Sequence, residues 1–494
     1  MRPFPRMLSA VASATLSGAV GRVVSVEVHV SNGLPGFTIV GLPDAAVREA
    51  RDRVRAAVLS SGLPWPMRRV TVNLAPSGVR KGGAGLDLPI AIGLLVAAGE
   101  LSPSSTEGFA FCGELGLNGS LRHVPGMIAL ADATAPPLGL VVPLCDVREA
   151  ALVRSEDAHG AANLADLVRV LRGDARWPST PAPALASSAP AQPDLSDVGG
   201  QALGRRALEV AAAGRHHLLM IGPPGSGKTM LAERLAGLLP PLTSTEALAV
   251  ARIHSAAGYA LPDGELLQRP PFRAPHHLAS VVSLVGGGSW SLRPGEVSLA
   301  TNGILFLDEL GEFPVAALEA LRQPLEEGVI RVSRAGGTVT FPAAFLLVAA
   351  MNPCPCGEGV YEGACTCSAV ARARYRRRIS APLLDRFDLV VPLSRPDPDE
   401  LLAGAPGESS TTVARRVAMV RGARLERGGE LELSPDANSL LASKLRAGGL
   451  SARGLHKVTR VARTVAALAG ADVVSFAHTS EALSLRAGRA AVVA

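Results

Sequence analysis

Eight consecutive residues carry the densest chemical signal in the chain: Gly222, Pro223, Pro224, Gly225, Ser226, Gly227, Lys228 and Thr229. Glycines let successive backbone N–H groups curl around phosphate oxygens, and a following helix adds the positive end of its dipole. A lysine at Lys228 can reach the β- and γ-phosphates of a nucleotide, and the Thr229 hydroxyl can ligate Mg²⁺. A chance glycine turn would lack the right surroundings, but here the apolar run His217–Ile221 precedes the loop and helix-like Met230–Leu239 follows it. Farther on, Gly303-Ile-Leu-Phe-Leu-Asp308-Glu309 reads as a buried strand ending in two carboxylates. Asp308 can hold the Mg²⁺ shell, while Glu309 can orient and polarise an attacking water. A third apolar run, Phe345–Met351, ends at Asn352. Its amide can sense a γ-phosphate, or can simply start the turn before Pro353. Together these residues predict Mg²⁺-dependent ATP hydrolysis.

A second cluster is made of sulfur. Cys354 and Cys356, then Cys365 and Cys367, flank a short stretch containing Gly357, Gly359 and Gly363. Four thiolates in two close pairs can enclose a tetrahedral structural Zn²⁺, although C-x-C is tighter than the usual C-x₂-C knuckle. The alternative is a set of reduced free cysteines. A catalytic metal is not expected, because four protein thiolates leave no open position. Arg372, Arg374, Arg376, Arg377 and Arg378 follow around Tyr375, suited to phosphate contact or to a solvated helix face.

These groups must be positioned by several domains, since 494 residues exceed one ordinary domain. Hydrophobic residues at 48% against 19% charged allow sizeable cores, and aromatics at 3% leave Ala, Val and Leu to fill them. The formal charge of +6 and a pI near 9.3 permit contact with nucleic acid without requiring it. Residues 1–172 mix β-branched runs (Val23–Val30, Phe37–Val40, Val70–Leu74) with helical segments such as Ala45–Leu59. Residues 173–193 are rich in Pro, Ala and Ser and read as an extended linker. In residues 194–396 apolar strands alternate with helices, including Ala207–Ala213, which predicts a parallel sheet covered on both faces. Residues 397–494 show helical spacing alone, in Val413–Leu425, Pro435–Leu445 and Ser451–Ala469, with no further strands expected. Arg2 and Arg6 before Met7–Gly18 hint at a signal peptide, but Ser9, Ser13, Thr15 and Ser17 interrupt it, and it is read as folded. No run supplies the roughly 20 apolar residues of a membrane span, so a cytoplasmic protein without membrane contact is expected.

The motifs resemble those of the AAA+ module of the magnesium-chelatase-like group. Beyond the phosphate loop these are Arg273-Ala-Pro-His-His, Gly286-Gly-Gly, Pro294-Gly-Glu-Val-Ser-Leu-Ala, Ala350-Met-Asn-Pro-Cys-Pro-Cys-Gly and Leu383-Leu-Asp-Arg-Phe-Asp388. The front end, from Gly33-Leu-Pro-Gly-Phe through Ala45-Ala-Val-Arg-Glu-Ala-Arg51, is similar to the YifB family, which includes the competence protein ComM. The resemblance covers essentially the whole chain. It implies a sensor role for Asn352, an arginine finger at Arg386 acting in a neighbouring subunit's site, and a second sensor arginine at Arg453 in a C-terminal helical lid. A finger supplied in trans implies a ring, a homo-hexamer by family expectation; an ordinary surface pair of Arg386 with Asp385 or Asp388 is the plain alternative. The resemblance also makes Val329–Phe341 a β-hairpin around Gly336-Gly337, with Arg331 and Arg334 as candidates for gripping a DNA backbone or as solvated arginines.

Residues 20–150 resemble the Lon-protease-like (ribosomal S5-like) α+β fold. A peptidase of that kind needs a serine activated by a lysine, yet the two places read Gly83-Ala84-Gly85 and Gly126-Met127-Ile128. No peptidase activity is expected, because a fold does not carry activity without its site. The reading implied is an AAA+ ATPase that remodels single-stranded or branched DNA by unwinding or branch migration, in recombination or transformation. The alternatives are a chelatase motor subunit, set lower because the N-terminal domain does not resemble that subunit, an ATP-dependent protease, and a nucleotide-gated scaffold.

Overall fold

Alternating apolar residues fold the first part of the chain into an antiparallel hairpin, Leu8–Ser17 with Val20–Ser31, whose inner Val24, Val26, Val28 and Val30 are buried. The stretch that faintly resembled a leader is thus a central strand. The computed structural model describes residues 7–134, 136–179, 192–259, 261, 265–288, 292–334, 337–358, 365–403, 407–427 and 430–488. Seven strands form the first sheet, in the order Gly36–Val40, Arg69–Ala75, Val20–Ser31, Leu8–Ser17, Phe109–Phe111, Gly139–Pro143 and Ala158–Ala161. Helix Asp87–Ala97 is buried at every position between this sheet and helix Ala45–Ser60. A helix apolar on every side after its first residue is buried all round. Its buried Asp87 is gripped by Arg53 of the covering helix, at 2.7 and 3.0 Å.

The start of the segment read as a linker is packed on the first domain. Trp177 stacks on His159 at 4.6 Å and lies 5.4 Å from Phe109, so the chain stays on the first domain to that point. Residues 180–191 lie outside the described residues.

Five parallel strands make the second sheet, in the order Phe272–Arg273, Ile304–Leu307, Leu346–Met351, Leu218–Ile221 and Leu389–Pro392. Their continuous apolar character has a simple cause: alternate side chains enter different cores. Leu218, Met220, Ile304, Phe306, Val348 and Ala350 join one cluster, while Leu219, Ile221, Leu305, Leu307, Ala349 and Met351 join the other. Helix Ala202–Gly214 packs on the first face, and the helix after the phosphate loop runs Lys228–Leu235. The first domain touches this module directly, through Ile128 against Ala251 and Leu261, Asp132 with Arg252 at 3.1 Å, and Gly126 N–H to the Ser255 carbonyl at 2.9 Å.

Helices Ser410–Arg427, Pro435–Arg446 and Ala452–Leu468 follow, the last two capped by Ser434 and Ser451. Two features differ from the sequence reading. Two more helices, Pro398–Ala403 and Phe476–Ser484, are too short to show a clear period. Strands also do not stop entirely, because Glu432–Leu433 pairs in parallel with Val473–Val474. Among the described residues no helix is long and apolar enough to cross a membrane.

The helical region is pinned to the sheet by one buried carboxylate. Asp388, just before the edge strand, lies 3.1 Å from Lys457, 3.9 Å from Arg460 and 3.7 Å from His216, and accepts the His217 N–H at 3.2 Å. Burial alone would raise its pKa, but His216, Lys457 and His217 together hold it far below the carboxylate range. Neighbouring His217 is pulled down to about 4 by burial, so its neutral imidazole accepts the Leu347 N–H at 3.0 Å. Neutralising the carboxylate leaves Lys457 without its buried counter-charge. Asp388→Asn is therefore expected to destabilise the ATPase module by roughly 3–5 kcal/mol, read by urea unfolding; a loss below about 1 kcal/mol would remove Asp388 from this role.

Candidate nucleotide site

The phosphate loop leaves the sheet where the order of strands reverses, between Leu346–Met351 and Leu389–Pro392. Ligands of open parallel sheets bind at such a switch point. Gly222 donates its N–H to the Met351 carbonyl at 3.2 Å, and a Cβ there would sit 2.6 Å from the Leu393 carbonyl oxygen. Gly225 and Gly227 hold φ near +77° and +79°, a region that side-chain-bearing residues avoid. The loop wraps the Lys228 ammonium, which donates to the carbonyls of Gly222 and Pro223 at 2.8 Å each and to Asn352 Oδ1 at 3.3 Å. Burial lowers the Lys228 pKa, opposed by the charge of Asp308. Thr229 Oγ1 donates to Asp308 Oδ2 at 2.7 Å, and the second Asp308 oxygen accepts the Glu309 N–H at 2.8 Å.

These residues fit a nucleoside triphosphate with Mg²⁺. The glycine loop opens a helix of eight residues, Lys228–Leu235, and the hydroxyl and carboxylate of Thr229 and Asp308 are hard oxygen donors already in contact. Mg²⁺ when bound neutralises charge on the β- and γ-phosphates. Pro223, Pro224 and Ser226 shape the loop backbone, and the Ser226 hydroxyl closes it onto the Pro223 carbonyl at 2.8 Å.

Two contacts escaped the sequence reading. Glu309 sits at φ +53°, an unfavourable conformation for glutamate, and its carboxylate lies 2.9 Å from His277 Nδ1. His277 belongs to the Arg273-Ala-Pro-His-His run, which had served only as a family signature. Its neighbour Arg273 is held by Glu296 of the Pro294-Gly-Glu run at 2.7 and 2.8 Å, so the two signatures lock each other. Gln201 is the second: its amide donates to the Ser226 and Ser394 carbonyls at 3.0 and 2.6 Å, tying the loop to the strand beyond it. A lone His or Gln gives no spacing signal, and only the parallel pairing of Phe272–Arg273 with Ile304–Leu307 brings His277 beside Glu309.

The arginines fall elsewhere. Arg386 precedes strand Leu389–Pro392, whose first residues pair with the start of Leu218–Ile221, and it lies at the edge of the sheet opposite the phosphate loop. The strand between spans about 13 Å. Its guanidinium pairs with Glu326. Burial, then the charges of Arg453 and Arg322, hold its pKa down. Arg453 lies one helical turn before Lys457, whose ammonium donates to the Arg386 carbonyl at 2.8 Å.

The hairpin is present, with Val329–Arg334 antiparallel to Gly337–Pro342. Arg331 is paired with Glu327, and the Arg334 side chain and Gly336 of the turn lie outside what is described. In the basic helix Ala369–Arg376, Tyr375 is buried and Arg372 and Arg374 are exposed, while Arg378 binds the Gly311 carbonyl at 2.6 Å. Cys354, Cys356, Cys365 and Cys367 converge, with all four sulfurs within 4.8 Å of one another, and can hold a metal ion. Gly359 and Gly363 of the intervening loop lie outside the described residues. At the two places where a peptidase dyad would stand, Ala84 begins a short 3₁₀ turn and Ile128 is buried against the ATPase module.

Residues 194–401 match the family model described as magnesium chelatase, subunit ChlI; residues 407–486 match that of its C-terminal part. Residues 26–144 match the model described as subunit ChlI of Mg-chelatase. That last match corrects the expectation that the first domain does not resemble the chelatase subunit. The chain is 44% identical to competence protein ComM of Haemophilus influenzae over 501 residues, 97% of each chain. It is 45% identical to the YifB protein of Salmonella typhimurium over 481 residues, 94% of each. A shorter likeness, 27% over 180 residues covering 36% of this chain and 23% of the other, is to a probable DNA helicase, MCM9, of Arabidopsis thaliana.

The geometry separates binding from water activation. Lys228→Ala is expected to weaken ATP binding, whereas Glu309→Gln should bind ATP normally and turn it over about 100-fold to 10,000-fold more slowly. Fluorescent-nucleotide titration beside a phosphate-release assay reads both, and undiminished turnover in Glu309→Gln would take Glu309 out of the reaction.

Proposed function

The chain belongs to the magnesium-chelatase-like AAA+ family of the YifB and ComM kind, and from that premise we propose that it is a ring-forming ATPase that couples ATP hydrolysis to DNA remodelling. One observation carries the shared-site half of this reading: Arg386 stands at the edge of the sheet that the phosphate loop does not use, and the helix that bears Arg453 docks there through Lys457. Neither reaches its own loop across a strand of about 13 Å, so both serve the neighbouring subunit's nucleotide. Closing such head-to-tail contacts requires a ring, and a homo-hexamer is the form proposed. Within the site, Asn352 beside Lys228 senses the γ-phosphate, Asp308 and Thr229 hold Mg²⁺, and Glu309 activates water once it leaves His277.

The DNA half rests on kinship with a competence protein, on the partial likeness to a probable DNA helicase, and on the hairpin Val329–Pro342. Its Arg331, exchanging Glu327 for phosphate, grips the backbone. A second reading, a chelatase motor subunit, is favoured by the chelatase match at residues 26–144. ATP-driven Mg²⁺ insertion into a porphyrin with a partner subunit would establish it.

Two measurements test the proposal. ATP turnover is expected to rise several-fold with single-stranded or four-way DNA, with strand displacement of a branched substrate. Turnover indifferent to every DNA, with no displacement, would overturn the DNA half and leave a nucleotide-gated scaffold or chelatase motor. Arg386→Ala should assemble yet hydrolyse about 1,000-fold more slowly, and mixing it with Lys228→Ala should recover activity, because each then lends the other its intact half. No recovery in a mixed ring would place Arg386 outside the neighbour's site.

A further inference from the structure

The sulfur cluster and the phosphate loop were separate motifs in the sequence, but in the fold they touch. Cys354–Cys356 and their partners Cys365–Cys367 sit directly beyond strand Leu346–Met351, so the first thiol follows Asn352 by two residues. The sulfurs of Cys354 and Cys356 lie 3.3 Å apart, and each lies 3.7 Å from that of Cys365. All four cysteines are free, and these separations far exceed a disulfide bond of about 2.05 Å. A tetrahedron with sulfurs about 2.3 Å from a central metal has edges of about 3.8 Å, close to two of the three separations. Tight C-x-C spacing, a weakness on paper, is accommodated because Gly357 takes φ +85° and returns its N–H to the Cys354 carbonyl at 3.0 Å.

The turn that closes the cluster also leans on the nucleotide site. A Cβ placed on Gly357 would come 2.6 Å from the Pro224 ring carbon Cδ, so this backbone abuts the phosphate loop. The next residue, Glu358, pairs with Arg395 at 2.5 Å, and Arg395 Nε points at the Pro224 carbonyl at 3.4 Å. On the other side, Asn352 meets Lys228 at 3.3 Å. Pro224 and Asn352 are thereby held from one rigid knot.

We propose that Cys354, Cys356, Cys365 and Cys367 bind one Zn²⁺, and that this metal knot braces the phosphate loop, making nucleotide affinity depend on zinc occupancy. The inference rests on the ATP-site reading and concerns how that site is held, not which polymer the energy acts on. Zinc does no chemistry on the nucleotide, because its four positions are filled by protein sulfur. Loss of the ion frees the Cys354–Gly357 turn, which then no longer fixes Pro224 or Asn352.

The test uses the full chain. Metal analysis of purified protein is expected to give one zinc per chain, and Co²⁺ exchanged into it should show the sulfur-to-metal charge-transfer absorption of a tetrathiolate. Cys356→Ser with Cys365→Ser should lose both signals, while Cys145→Ser, a thiol far along the sequence, should keep them. Removing zinc with a chelator that leaves Mg²⁺ alone should weaken fluorescent ATP binding at least tenfold, reversed by adding zinc back. Zinc-free protein with no cobalt spectrum overturns the metal site. Unchanged ATP affinity in the chelated, still-folded protein overturns the brace; wild-type protein that never binds ATP would instead sink the underlying ATP-site reading. Chelation of the wild type keeps the test open should the cysteine variants fail to fold.

Discussion

Burial of five short parallel strands on both faces is the constraint on which the rest of the structure depends. Each strand of Leu218–Ile221, Ile304–Leu307 and Leu346–Met351 sends alternate side chains into two separate cores. No strand can slip by one residue without exchanging the contents of both. Register fixed in this way delivers Gly222, Asp308 and Asn352 to the same edge, because each stands just past the end of its strand. The contacts of Lys228 with Asn352 and of Thr229 with Asp308 follow from that coincidence. Chemistry here is a by-product of packing that leaves polar groups nowhere else to emerge.

The same sheet has a second edge, and it is put to a different use. Asp388 gathers His216, Lys457 and Arg460 there and fastens helix Ala452–Leu468 across the strand beginnings. That fastening carries Arg453 to Arg386, two like charges made tolerable by Glu326. A helical region folded over the loop of its own subunit would have taken Arg453 to the opposite side. Docked as it is, the helix lies against Arg386, whose carbonyl accepts from Lys457 at 2.8 Å.

The first domain meets the ATPase module through a short apolar seam. Ile128, where a peptidase of this resemblance would hold a lysine, is buried against Ala251 and Leu261 of the ATPase module. Asp132 with Arg252 and Gly126 with Ser255 extend the same contact. A lysine at position 128 would displace the apolar contact of Ile128 with Ala251 and Leu261.

Much of the site was legible in the sequence because its signals are local. Spacing alone ties Gly222 to Thr229, an apolar run ending in Asp308 and Glu309 declares its own strand, and paired cysteines announce a cluster. Strand and helix positions were likewise legible wherever burial is continuous, as in His217–Ile221. What the sequence left open is whatever depends on which strand neighbours which. His277 reaches Glu309, Gly357 presses on Pro224, and Arg386 turns to Glu326 only because non-adjacent segments meet in the sheet. Short polar elements such as Phe476–Ser484 and the Glu432–Leu433 pairing were also invisible, since neither is long enough to show a period. The sequence therefore determined which groups do the chemistry, through covalent spacing along one segment. The tertiary structure decided which of them meet, and that Arg386 stands at the sheet edge opposite the phosphate loop, because strand order and the docking of Asp388 are not written in any one segment.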